Sequence, residues 1–122
     1  MQQEELVSST IPDEQKGIDT CFDDKHTIDL LFLKYLQDFI VRRYKEMPEG
    51  SYTTSLFRQG VNRMAQKVGE EAVETVIEAT NGTQEGFVSE ASDLLYHLIV
   101  LLVGRGLGLE DLIQELKKRH KA

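Results

Sequence analysis

The sequence predicts an all-α fold, and three observations carry that prediction. Apolar residues recur at three- and four-residue intervals over long stretches. No stretch alternates apolar and polar residues with period two, the mark of a half-buried strand. Clusters of helix-breaking residues separate the periodic stretches: Pro48 with Gly50, Asn81 with Gly82, and Gly104 with Gly106.

Taken in order, residues 1–26 show no sustained periodicity and contain Pro12, Gly17 and several acids, so they read as an arm. The domain proper is 27–122. Its first helix is predicted over Thr27 to Tyr44, where Phe32, Tyr35, Leu36, Phe39 and Ile40 recur at helical spacing and Thr27 is the candidate N-cap. "EMPEGS" ends it. "SYTTSLFRQG", residues 51–60, offers hydroxyl caps for a short helical turn, with Thr53 as the expected cap. A long helix follows from Val61 to Thr80, stopped by "NGT". The next spans Phe87 to Val103 and stops at Gly104. The last runs from Leu109 to His120, with Leu109, Leu112, Ile113 and Leu116 on one stripe and "KKRH" at the end the macrodipole favours for cations.

With 122 residues the chain is one domain with a modest core. Lys and Arg number 14 against 21 Asp and Glu, a net charge of -7. Such a surface repels a polyphosphate backbone, so nucleic acid is not an expected partner. A small phosphorylated substrate fits if divalent cations mediate the contact. The single cysteine, Cys21, excludes an internal disulfide and a self-contained zinc site. The apolar run Leu98 to Val103 is too short to cross a bilayer, and "MQQEELVSST" is too acidic for a secretory signal. The expectation is a soluble, cytoplasmic protein without membrane contact.

The chemistry is concentrated in "KVGEEAVETV", residues 67–76. At about 100° per residue, Arg63, Lys67, Glu70, Glu71, Glu74 and Glu78 fall within roughly a 100° arc, with Met64, Ala65, Val68, Ala72, Val76 and Ala79 spread opposite. A solvated charged face is one reading of this helix alone. The following helix adds Glu90, Asp93 and His97 at i, i+3 and i+7, opposite Ala91, Leu94, Leu95, Leu98 and Leu102. Antiparallel helices joined by a short loop face each other, which sets Glu71 and Glu74 against Glu90 and Asp93. Four facing carboxylates repel unless neutralised, and hard oxygen ligands select Mg²⁺ or Mn²⁺. Magnesium completes its shell from phosphates, so the pattern points to chemistry on a diphosphate or triphosphate, with a purely structural ion as the alternative.

Glu71-x-x-Glu74 followed by Glu90-x-x-Asp93 resembles the signature of the all-α nucleotide pyrophosphatases, the MazG-like superfamily. "SYTTSLF", "RMAQKVGEEAVE", "EASDLLYHLIVLL" and "LKKRH", in this order, are similar to the phosphoribosyl-ATP pyrophosphatases of histidine biosynthesis over about residues 27–121. The resemblance implies a four-helix-bundle-type domain completed by homodimerisation, and Mg²⁺-dependent hydrolysis of phosphoribosyl-ATP to phosphoribosyl-AMP and pyrophosphate. It makes Glu71, Glu74, Glu90 and Asp93 the metal ligands. The attacking water is then held by the metal or polarised by a neighbouring carboxylate, for which Glu70 is the candidate.

Lys67 suits phosphate contact, an ion pair with Glu71 being the plainer role. Arg63 and Arg58 are further phosphate candidates, and Ser51 and Tyr52 candidate substrate contacts. His97 reads as a hydrogen-bonded core residue. A house-cleaning nucleoside triphosphate pyrophosphatase and a non-catalytic dimerisation module are the competing functions, the latter disfavoured by unused facing carboxylates. The arm carries a second likeness. The end of a phosphoribosyl-AMP cyclohydrolase fused ahead of this domain reads P-x-C-H-x-G-x-x-x-C-F. "PDEQKGIDTCF" keeps Pro12, Gly17, Cys21 and Phe22 but has Glu14 and Gln15 in place of Cys and His. That departure implies a vestigial fusion junction without cyclohydrolase activity.

Overall fold

A computed structural model describes residues 24 to 120. Among them the chain forms five helices and no strand: α1 Asp24–Glu46, α2 Tyr52–Gln59, α3 Val61–Asn81, α4 Gln84–Gly104 and α5 Leu109–Arg119. The all-α prediction therefore holds. The junction-like stretch 12–22, with Cys21, lies outside the described residues. The described residues fall into two compact units that divide between Tyr35 and Leu36. In the first, the Phe32 and Tyr35 rings of α1 lie 5.7 Å apart in a tilted pair. The second holds the hydrophobic core.

Its core joins Ile40 of α1, Leu56 and Phe57 of α2, Met64 of α3, and Ile99, Val100 and Val103 of α4. Ile40, Ile99 and Val100 are wholly buried. At Gly104 a Cβ would stand 2.7 Å from Met64 Sδ, so the glycine allows Met64 to cross the end of α4. Gly60 separates α2 from α3 in a single residue. Its φ of 96° is in the left-handed region, its N–H bonds the Leu56 and Phe57 carbonyls, and its own carbonyl accepts from Arg63 and Met64. The start of α5 is held from α1: buried Gln37 accepts from the Leu109 N–H at 2.6 Å and donates to Glu110 Oε1 at 2.8 Å.

Three predicted boundaries are corrected. Thr27 is no cap but lies inside α1, because nothing in "DKH" before it opposes a helix. The short helix is capped by Ser51, not Thr53: Ser51 Oγ accepts from Thr54 N at 3.2 Å, whereas Thr53 is buried with its hydroxyl bonded to that of Tyr96. Helix α4 begins at Gln84, three residues before the predicted Phe87, since Thr83 Oγ1 caps the Gly86 N–H at 2.9 Å. By length and composition α4 is apolar enough to cross a membrane. Its second half, however, supplies much of the core described here.

Candidate active site

Helices α3 and α4 are joined by Gly82 and Thr83 alone and pack along each other. Their pairing is antiparallel: Met64 meets Gly104, Glu71 meets Glu90 and Asp93, and the Glu78 carboxylate fills the space where Gly82 and Gly86 lack a Cβ. This register was predicted from the loop length. The burial of α3 was not. Its inward stripe is Met64, Lys67, Val68, Glu71, Ala72, Thr75 and Glu78, while Val73, Val76 and Ile77 stand 60%, 60% and 52% exposed. Part of the charged arc, Lys67, Glu71 and Glu78, turns toward α4, Glu70 and Glu74 stay exposed, and part of the apolar side turns out. A solvated charged face is thus excluded for Glu71, which is 8% exposed.

Glu71, Glu90 and Asp93 each offer a carboxylate oxygen within 4.8 Å of the others. Glu71 Oε1 and Glu90 Oε1 are buried without a hydrogen-bond partner. A buried acceptor left unpaired is costly, so both atoms await a donor or a cation. The repulsion is visible in Glu90. Its hydrogen bond with Glu74, its partial burial and the adjoining Glu71 push its pKa up to about 7. Glu74, the fourth predicted ligand, is exposed and is not one of the three clustered carboxylates, though it lies close enough to Glu90 to act on it.

Around the carboxylates the cations are already engaged. Lys67 Nζ lies 3.3 Å from Glu70 and 3.6 Å from Glu71, so the predicted ion pair is present. Burial disfavours its ammonium, but the hydrogen bond to Glu70 and the nearby Tyr52, Glu70 and Glu71 outweigh that and raise its pKa. Glu70 accepts from Gln66 Nε2 at 2.8 Å, and that bond, followed by Lys67, lowers its pKa. Arg63 stands 4.0 Å from Glu70. Arg58, earlier in the chain on α2, pairs instead with Glu49 at 3.6 Å.

Helix α2 brings Tyr52 to α4. The Tyr52 hydroxyl is 2.8 Å from His97 Nε2, and His97 Nδ1 is 2.7 Å from the Asp93 carbonyl. His97 is buried with both ring nitrogens bonded, as expected of a core histidine, yet its partners are two residues of the site. The Tyr52–His97 pairing was missed. The only signal was the shared face of Asp93 and His97, and the distance from Tyr52 in sequence concealed the rest.

Comparison with known proteins agrees with this geometry. The family model for phosphoribosyl-ATP pyrophosphohydrolase matches residues 33–120. The histidine biosynthesis bifunctional protein HisIE of Bacteroides thetaiotaomicron is 60% identical over 106 residues, which is 87% of this chain and 52% of that protein. The HisIE proteins of Bacillus subtilis and Xanthomonas campestris are 44% and 53% identical, covering 94% and 74% of this chain and 57% and 44% of their own. The chain thus spans about half the length of the curated relatives it matches. With acidic pairs on two facing helices and a family match over nearly the whole described domain, the chain belongs to the phosphoribosyl-ATP pyrophosphohydrolase family.

Proposed function

We propose that this chain hydrolyses phosphoribosyl-ATP to phosphoribosyl-AMP and pyrophosphate, the second step of histidine biosynthesis, with Mg²⁺ or Mn²⁺ held by Glu71, Glu74, Glu90 and Asp93. The observation that carries the proposal is the oxygen cluster with its two buried, unpartnered carboxylate atoms. All its donors are hard oxygens, which suits these ions and not zinc or copper. When bound, a divalent ion supplies the positive charge that offsets the charge on the departing pyrophosphate.

The chain's own residues do the rest. Lys67, already an ammonium between two carboxylates, turns to phosphate oxygens when they enter beside Glu71, and Arg63 adds a second cation on the same arc. Glu70 is held ionised by Gln66 and Lys67, so it accepts a hydrogen bond from the attacking water and orients it. Tyr52, half-exposed at the edge of the cluster, contacts substrate, and Ser51 sets the start of its helix. The uncovered Val73, Val76 and Ile77 support a homodimer that buries them. The reaction itself supports a cytoplasmic, soluble setting with no nucleic-acid or membrane partner.

The test is product analysis after incubation with phosphoribosyl-ATP and, in parallel, ordinary nucleoside triphosphates, with Mg²⁺ and with chelator. Pyrophosphate and phosphoribosyl-AMP, formed only with metal, are expected. Faster turnover of ordinary triphosphates would replace this reading by the house-cleaning one, and equal rates in chelator would remove the metal.

A further inference from the structure

We infer that His97 is a positioning residue: its Nε2 accepts the hydrogen bond of the Tyr52 hydroxyl and so leaves the Tyr52 oxygen an acceptor-only group at the rim of the carboxylate cluster. The inference starts from the Asp93 carbonyl, which can only accept. His97 Nδ1, 2.7 Å away, must therefore carry the ring proton. In the neutral imidazole Nε2 is then a lone pair, and the Tyr52 hydroxyl at 2.8 Å must donate into it. In the neutral ring the two bonds admit this one tautomer. It is buried at 7% exposure, and it makes edge contacts with Tyr52 and Tyr96 at 5.7 and 5.8 Å.

The tyrosine is fixed with equal care. It is the first residue of α2, directly after the Ser51 cap, and its neighbour Thr53 bonds the Tyr96 hydroxyl next to His97. Two successive side-chain bonds thus latch the start of α2 to α4 while the phenol stays about half exposed. Its only proton is spent on His97, so its oxygen offers lone pairs alone. Phosphate oxygens, also acceptors, find no partner there. Sugar hydroxyls, which donate, do. The geometry thus makes Tyr52 a reader of ribosyl hydroxyl groups, separate from the phosphate-handling carboxylates and Lys67.

The kinetic half of this inference rests on the proposed activity, whereas the tautomer is a property of the protein alone. Imidazole ¹⁵N NMR at pH 8 on the intact chain reads the tautomer directly. Protonated Nδ1 with bare Nε2 is expected in wild type, and Tyr52→Phe should shift Nε2 while leaving Nδ1 in place. A proton on Nε2 overturns the inference, whatever substrate the protein turns over. With phosphoribosyl-ATP, Tyr52→Phe and His97→Leu should each raise KM roughly 3- to 10-fold, the effect of one neutral hydrogen bond, with kcat nearly unchanged. The double variant should be no worse than Tyr52→Phe. His97→Gln, whose carbonyl takes the place of Nε2, should recover most of the KM and tests the same point if the leucine variant fails to fold. Additive effects, or a loss confined to kcat, would overturn the positioning role. A wild-type chain inactive on phosphoribosyl-ATP would sink the proposed activity and leave the NMR result to decide the tautomer.

Discussion

Glu90 gives the proposed metal binding at this site a pH dependence of calculable size. Its pKa, pushed up to about 7 by the hydrogen bond with Glu74, by burial and by Glu71, leaves it largely protonated in mildly acidic solution. A carboxylate must lose its proton to ligate a divalent ion, so binding and proton release are one equilibrium. At pH 6 Glu90 is about nine-tenths protonated and at pH 8 about one-tenth, from a pKa near 7. Binding of Mg²⁺ or Mn²⁺ should therefore release about 0.9 proton at pH 6 and about 0.1 at pH 8, and the affinity should be roughly tenfold weaker at pH 6. Titration calorimetry in two buffers of different ionisation enthalpy counts the protons, and Mn²⁺ paramagnetic resonance gives the affinity. Glu90→Gln should bind more weakly at both pH values, with the tenfold dependence gone. Equal proton release at pH 6 and pH 8, or an unchanged pH dependence in Glu90→Gln, would refute the assignment of that proton to Glu90.

The remaining predictions concern stability, turnover and assembly. In chelator, Glu90 contributes stability that is fully present below its ordinary pKa of 4.5 and lost as pH rises through about 7, so Tm should fall across that window. The fall should vanish in Glu90→Gln and reverse in excess Mg²⁺; the lowered pKa of Glu70 acts separately, below 4.5, where its contribution disappears. Glu71→Gln and Asp93→Asn should each lose about 100-fold or more of turnover, while circular dichroism shows helix content intact. Wild-type rates in both would remove them from the site. Ile99→Ala, at a fully buried position, should cost about 2–5 kcal/mol by denaturant unfolding, and a change under 1 kcal/mol would contradict the packing described here. Sedimentation should show a dimer at micromolar concentration that Val76→Lys dissociates, whereas a wild-type monomer would leave the exposed Val73, Val76 and Ile77 unexplained.

Much of this molecule was written in local pattern. Helix existence, the breaks at Pro48, Gly60, Gly82 and Gly104, and the antiparallel facing of α3 and α4 follow from periodicity and loop length, both properties of neighbouring residues. The acidic constellation was legible for the same reason, since i, i+3 spacing sets a pair of side chains on one helix face whatever the helix packs against. Helix starts were less so. Ser51, Thr53 and Thr83 all have cap chemistry, and which hydroxyl caps depends on which is diverted to another helix, as Thr53 is to Tyr96.

Only the tertiary structure decided how much of each side of α3 is covered. A helical wheel separates Glu71 from Val76, and the short loop sets Glu71 against the next helix, but neither says how much of the apolar side stays uncovered. Here Lys67, Glu71 and Glu78 turn inward with Met64, Val68 and Ala72, while Glu70 and Glu74 stay exposed and Val73, Val76 and Ile77 are left outside. It also decided that Glu71 and Glu90 keep unpartnered oxygens, that Glu90 holds its proton to about pH 7, and that Tyr52 meets His97 from 45 residues away. Those facts depend on distances between elements, and side-chain burial and hydrogen bonding respond to distance in space, which a linear spacing does not contain.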